Sequence, residues 1–198
     1  MTEREVITRA YDEGAQREYA RLVQSPLHEA EWSLIIDLID EYIACESVVV
    51  DIGAGPGRYA EYLLKQRNCQ VGLVDLSEEC LALFTSRIGA SHQERVKFTW
   101  KSCATDLSWI PEASFNTALL MGPLYHLVTE QERKKAVAEA LRIIVPGGFV
   151  FATFISCYPV FSRILTHEPS LLHDEKFLDD LLNQGMVFAK DEISSMTD

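Results

Sequence analysis

Basic residues are scarce in this sequence. Lys and Arg number 18 against 30 Asp and Glu, for a net charge of −12. Nucleic-acid binding rests on many Lys/Arg–phosphate contacts, so no nucleic-acid partner is expected. Apolar runs are short as well. None approaches the roughly 20 residues that a membrane-spanning helix needs, so no membrane partner is expected. The first ten residues carry Glu3, Arg4, Glu5 and Arg9 without an apolar centre and do not read as a secretory signal. Cysteines stand at 45, 69, 80, 103 and 157, an odd number with no C-x-x-C spacing. That pattern offers neither a disulfide frame nor a zinc site. A cytoplasmic, reducing compartment is the expectation. His167, Glu168, His173, Asp174 and Glu175 match no standard metal-site spacing, and no metal is expected.

What is present suits one globular domain. The chain has 198 residues, 47% of them hydrophobic, enough for a real core. Acid is concentrated at the two ends. Residues 1–46 hold 4 basic and 11 acidic side chains, 47–155 hold 11 of each, and 156–198 hold 3 and 8. Solvated flanking helices around a neutral middle account for this.

The first 46 residues read as helix. A polar helix is expected over Glu3 to Leu22, broken or bent near Gly14. A second follows Ser25 and Pro26, with Leu27, Leu34, Ile35, Leu38, Ile39, Tyr42 and Ile43 forming one apolar stripe. Strands are then expected at Ser47–Ile52, Gln70–Leu76, Arg95–Trp100, Phe115–Met121 and Phe149–Ile155, with helices between them. Thr129 and Glu132 form a capping box, and Pro146-Gly147-Gly148 reads as a turn. Strands apolar on both faces and alternating with helices predict a parallel sheet covered on both sides. After Ile155 the pattern suggests two short helices, near 159–166 and 174–184, and at best one short strand at Gly185–Ala189.

The most informative stretch is Val48-Val49-Val50-Asp51-Ile52-Gly53-Ala54-Gly55-Pro56-Gly57-Arg58. A strand enters a glycine turn that opens a helix. The dinucleotide fingerprint G-x-G-x-x-G needs its third glycine where Arg58 stands. Asp75 ends the next strand, where a carboxylate can accept bonds from both ribose hydroxyls. Asp51 beside the loop repels a phosphate and suits an ammonium. A nucleoside carrying an amino acid, S-adenosylmethionine, satisfies all three.

These motifs resemble the class I S-adenosylmethionine-dependent methyltransferases of the small-molecule type. D-I-G-A-G-P-G, V-D-L-S at 74–77, S-F-N-T-A-L-L-M-G-P-L-Y-H-L at 114–127 and A-L-R-I-I-V-P-G-G-F-V-F-A-T-F at 140–154 carry the resemblance. So does Y-D-E-G-A-Q-R-E-Y-A-R-L at 11–22, which resembles an N-terminal cap. It implies an α/β, Rossmann-like, doubly wound, mostly parallel sheet in the order 3-2-1-4-5 with a helical cap. The expected organisation is a cap over 1–46, a cofactor-binding core over 47–155 and a helical segment over 156–198. The resemblance further implies that Tyr11, Asp51, Gly53, Gly55, Gly57, Asp75, Leu76, Cys103, Ala104 and Met121 bind the cofactor. Cys103 stands where the family often has an acid to bond the adenine amino group; Asp106 or a backbone group would take over that bond.

Tyr125 and His126 follow the fourth strand, where open α/β sheets place substrates. They are the expected catalytic residues, His126 as a base. The competing reading has Tyr125 packing and His126 capping a helix. Core packing is expected of Trp100 and Trp109. The leading function is methyl transfer to a small molecule by direct displacement. A non-catalytic cofactor- or partner-binding module and a nicotinamide oxidoreductase are the alternatives, the latter disfavoured by Arg58. The family's sheet normally has seven strands, and only five are legible here. The expectation is therefore a shortened form whose fifth strand is a bare edge, covered by C-terminal helices or paired in a homodimer.

Overall fold

The computed structural model describes residues 2–155, 157–179 and 182. The chain divides into two compact units, one up to Thr153 and one from Phe154 onward.

In the first unit, helices α1 (Glu3–Arg21) and α2 (Pro26–Tyr42) precede β1 (Val48–Ile52), α3 (Arg58–Gln66), β2 (Gln70–Asp75), α4 (Glu78–Arg87), the short α5 (Ala90–Gln93) and β3 (Val96–Lys101). Then come β4 (Phe115–Leu120), α6 (Pro123–His126), α7 (Glu130–Ile143) and β5 (Ile144–Ala152). The five strands form one sheet in the order β3-β2-β1-β4-β5, and every pairing is parallel. This is the expected Rossmann-like architecture. β1 lies in the middle, with Val49 opposite Val71 on one side and Thr117 on the other.

Strand alternation sends side chains to two cores. Val49, Val71, Leu73 and Leu119 pack with Leu63, Leu64, Phe84 and Ile39 on the face of α2, α3 and α4. Val50, Ile52, Val74, Ala118 and Leu120 pack with Leu107, Ala136, Ala140 and Ile143 on the other. Both cores close beneath the carboxyl ends of the strands, which leaves those ends free for a site.

Several expectations need correction. α1 runs unbroken through Gly14, because an added methyl there would meet only the tip of Arg17 and the backbone keeps helical geometry. The stripe on α2 is only partly buried: Ile39 and Ile43 are in the core, but Leu27 is 77% and Leu34 65% exposed. Pro146-Gly147-Gly148 does not end before a strand; it lies inside β5 as a bulge. Phe115 faces Ile144 and Thr117 faces Phe149, so four residues stand opposite Asn116. Gly147 has a positive φ of 83°, and a Cβ on Gly148 would strike the Asn116 carbonyl. Trp100 and Trp109 are not core residues. They are 53% and 38% exposed, and their rings lie 5.3 Å apart beside the edge strand β3.

The second unit contains α8 (Cys157–His167), a 3-10 helix (Pro169–His173) and α9 (Glu175–Asp179). The first matches the expected helix near 159–166. The expected continuation to 184 and the strand at Gly185–Ala189 lie outside the described residues. No described helix is long and apolar enough to cross a membrane.

Candidate active site

The loop after β1 is tied to β2. The Gly53 and Ala54 amides donate to the Val74 carbonyl at 2.8 and 3.1 Å. Gly53, Gly55 and Gly57 all have positive φ, a conformation that L side chains rarely adopt. Their surroundings differ. A Cβ on Gly53 would lie 2.5 Å from Pro123 Cγ, so this glycine lets the loop after β4 close over the loop after β1. At Gly57 a Cβ would strike Phe84 and Leu73, and this residue does not line the cavity. Above Gly55 nothing comes nearer than Glu18 at 4.0 Å, which leaves room for a ligand.

Asp75 is fixed by backbone donors. Gly55 N donates to its Oδ2 at 2.7 Å and Ser77 N to its Oδ1 at 2.8 Å. Burial raises its pKa, and the amides of Ser77 and Gly55 oppose that. The carboxylate thus joins the two loops and keeps spare lone pairs toward the cavity. Asp51 is 2% exposed, and its Oδ2 has no hydrogen-bond partner among the described residues. Burial, with repulsion from Asp75, pushes its pKa up to about 7, against the opposing pull of the Ala60 amide. A buried carboxyl with a vacant oxygen facing a cavity fits an ammonium group.

α1 covers these strand ends. Asp12 accepts a 2.6 Å bond from Ser77 Oγ, and Tyr19 donates to Glu61 at 2.7 Å. Arg4 pairs with Glu132 of α7 at 3.3 Å. Near the end of α1, Arg21 is held between Glu18 at 2.8 Å and Glu31 at 2.9 Å. Burial disfavours its charge, but the two carboxylates outweigh burial and its pKa rises.

Tyr11 and His126 meet under α1. The Tyr11 hydroxyl and His126 Nε2 share a 2.9 Å hydrogen bond, with the rings edge to face. Burial lowers the His126 pKa below its ordinary 6.5, which keeps the imidazole neutral. Burial and the nearby Tyr125 raise that of Tyr11. Tyr125 lies against His126 with ring centroids 4.7 Å apart, and burial pushes its own pKa up to about 12.

One cavity brings together Tyr11, Asp51, Gly53, Gly55, Asp75, Leu76, Cys103, Ala104, Met121, Tyr125 and His126. Cys103 is buried and its sulfur accepts from the Thr105 hydroxyl at 3.2 Å. Asp106 is exposed, takes the Ser108 hydroxyl and does not line the cavity. Sequence reasoning did not single out the lining residues Arg4, Ile7, Thr8, Glu18, Arg21, Arg58 and Tyr59. Those on α1 fall at three-, four- and seven-residue steps, so one helix face was the available signal.

These residues fit S-adenosylmethionine: a fixed carboxylate for the ribose, an open glycine for the tail and a vacant buried oxygen for the ammonium. The comparisons agree. A protein of Encephalitozoon cuniculi named for methyltransferase activity is 29% identical over 146 residues, which are 74% of this chain and 60% of that one. A tRNA (carboxymethyluridine(34)-5-O)-methyltransferase of Arabidopsis thaliana is 27% identical over 156 residues, 79% of this chain and 35% of that one. The chain therefore spans well under two thirds of the length of these curated relatives. The fold is shared with an S-adenosylmethionine-dependent methyltransferase of Methanosarcina mazei, with a TM-score of 0.55 and 22% identity over 67% of this chain and 65% of that one. The methyltransferase domain family matches residues 49–148, and this chain belongs to it, with S-adenosylmethionine as its cofactor.

Proposed function

We propose that this chain methylates a small-molecule acceptor in the cavity beneath α1. Bound there, S-adenosylmethionine supplies a methyl group made electrophilic by its sulfonium. The chain's own residues do the rest. Asp75 receives the ribose hydroxyls, and Leu76, Cys103 and Ala104 border the base. Asp51 holds the ammonium, and the open face of Gly55 admits the tail. Met121, Tyr125 and His126 form the wall at the end of β4, where the acceptor lies. Positioning is the main catalytic contribution, since alignment of reacting groups supplies roughly 7–11 kcal/mol of barrier lowering.

The observation that carries this reading is the Tyr11–His126 bond at 2.9 Å. It ties the covering helix to the only expected base, and the site is closed over by a helix rather than left as an open groove. A neutral, buried imidazole is the form that accepts a proton from the acceptor. Incubation with methyl-labelled cofactor and a metabolite panel tests the activity. His126→Gln is expected to cut transfer about 10²–10⁴-fold while leaving S-adenosylhomocysteine affinity within a few-fold. Equal loss of both assigns His126 a structural role.

The acceptor class distinguishes this reading from that of the Arabidopsis relative, whose name specifies a tRNA. Four described cysteines are unpaired, which suits a reducing compartment such as the cytoplasm. The outer edge of β5 pairs with no described strand, and we propose homodimer formation there. Light scattering across a concentration series would show a doubling of mass; a constant monomer mass rules the dimer out.

A further inference from the structure

Three buried side-chain polar atoms lack a hydrogen-bond partner among the described residues: Asp51 Oδ2, Arg58 Nε and Arg67 Nε. Arg67 is otherwise satisfied, since its Nη2 donates to the Ile43 carbonyl at 2.6 Å. Arg58 is not. No described carboxylate or carbonyl receives any of its donors. Its guanidinium instead lies over two aromatic rings, 4.7 Å from Tyr19 and 5.0 Å from Trp32. Those faces offset part of the cost of burying a cation, but they take up none of its N–H donors, which lie in the guanidinium plane.

The carboxylates that could serve Arg58 are engaged elsewhere. Glu18 and Glu31 both bind Arg21. Glu61 receives Lys65 and Tyr19. Asp51 and Arg58 line the same cavity, at the two ends of the glycine turn, yet form no ion pair with each other. One buried acid and one arginine of opposite charge, each with a vacant polar atom, are left facing a common space.

We infer that Arg58 and Asp51 together form a receptor for a zwitterionic amino-acid group, Arg58 taking the α-carboxylate and Asp51 the α-ammonium of the cofactor's methionine end. This rests on the cofactor assignment and adds Arg58 to it. The ligand chemistry is an α-amino acid joined to adenosine. Arg58 follows the third glycine directly, and its planar fork matches a carboxylate. Neither charge then needs a protein counter-ion, and an adenosyl ligand without an amino acid leaves both vacant.

Isothermal titration with three ligands tests this. S-adenosylhomocysteine carries both groups, its decarboxylated analogue keeps only the ammonium, and methylthioadenosine has neither. Wild-type protein should bind the decarboxylated analogue roughly 10- to 100-fold more weakly than S-adenosylhomocysteine. Arg58→Met should lose a similar factor for S-adenosylhomocysteine and almost nothing for the two truncated ligands. Equal weakening of all three by Arg58→Met would mean that Arg58 only shapes the pocket, and would overturn the inference. So would wild-type affinity that is indifferent to the carboxylate, a result independent of how any variant folds. Failure of wild-type protein to bind any of the three would overturn the cofactor-site assignment itself, which keeps the two failures apart.

Discussion

Asp51 sets the energetic character of the glycine turn. Its folded pKa, raised by burial to about 7, stands well above the ordinary 3.8. The native state therefore binds this proton more tightly than the unfolded chain does. The stability contributed by the protonated acid is complete below about pH 4 and is lost as pH rises through 7. For protein without ligand, the loss is on the order of a few kcal/mol. Asp51→Asn should remove it, so the urea midpoint of wild type should fall between about pH 5 and pH 8 by more than that of the variant. Parallel pH profiles would show that Asp51 does not titrate in this range. Asp75 behaves differently, because two backbone amides already hold it. Asp75→Ala removes both the ribose acceptor and the brace of the loop, and should weaken S-adenosylhomocysteine binding by roughly 1–3 kcal/mol in a calorimetric titration. Affinity unchanged in a folded variant would contradict its role. Both acids were legible in the sequence, since each ends or nearly ends an apolar strand at a defined distance from the glycines. Arg58 was legible only as a departure from a fingerprint. Its environment comes from Tyr19 and Trp32, whose approach no local pattern reveals.

At the scale of elements, the three glycines divide their labour. Gly55 leaves space, Gly53 lets the β4 loop approach, and Gly57 lets α3 pack against α4 and β2. Gly57→Ala combines a φ of 73° with a clash against Phe84 and Leu73. A loss of about 1–3 kcal/mol is expected, and thermal unfolding should register roughly 2–4 °C per kcal/mol. An unchanged midpoint would show that α3 and α4 readjust freely. The regular elements were readable because propensity, caps and periodicity agree: Ser77 accepts from the Cys80 amide, and Thr129 and Glu132 close the capping box. The bulge in β5 was not readable. Pro-Gly-Gly carries the chemistry of a turn, and only its neighbour β4, with the Asn116 carbonyl pressed against Gly148, makes it part of a strand. The covering role of α1 was hidden for a similar reason. Its inner face is polar and aromatic, because it lies on a site rather than on a core.

At the scale of the whole molecule, charge separates the two acceptor classes. The Arabidopsis relative acts, by its name, on a tRNA, and this chain matches 35% of that protein's length. A tRNA acceptor must be held largely through phosphate contacts, each releasing counterions. This chain carries a net charge of −12, and residues 1–46, which include the helix over the site, hold 11 acids against 4 basic residues. Several of those cations are already committed to carboxylates: Arg4 to Glu132, Arg9 to Glu13, and Arg21 to Glu18 and Glu31. The field around the cavity mouth therefore repels a polyanion at long range, with a reach of about 10 Å at 0.1 M salt. Filter binding of bulk tRNA to this chain at 0.1 M salt should show no saturation at protein concentrations up to about 10⁻⁵ M, where even weak non-specific binders begin to register. Saturable binding whose logarithm falls linearly with the logarithm of salt would overturn the small-molecule reading and place the acceptor among RNAs.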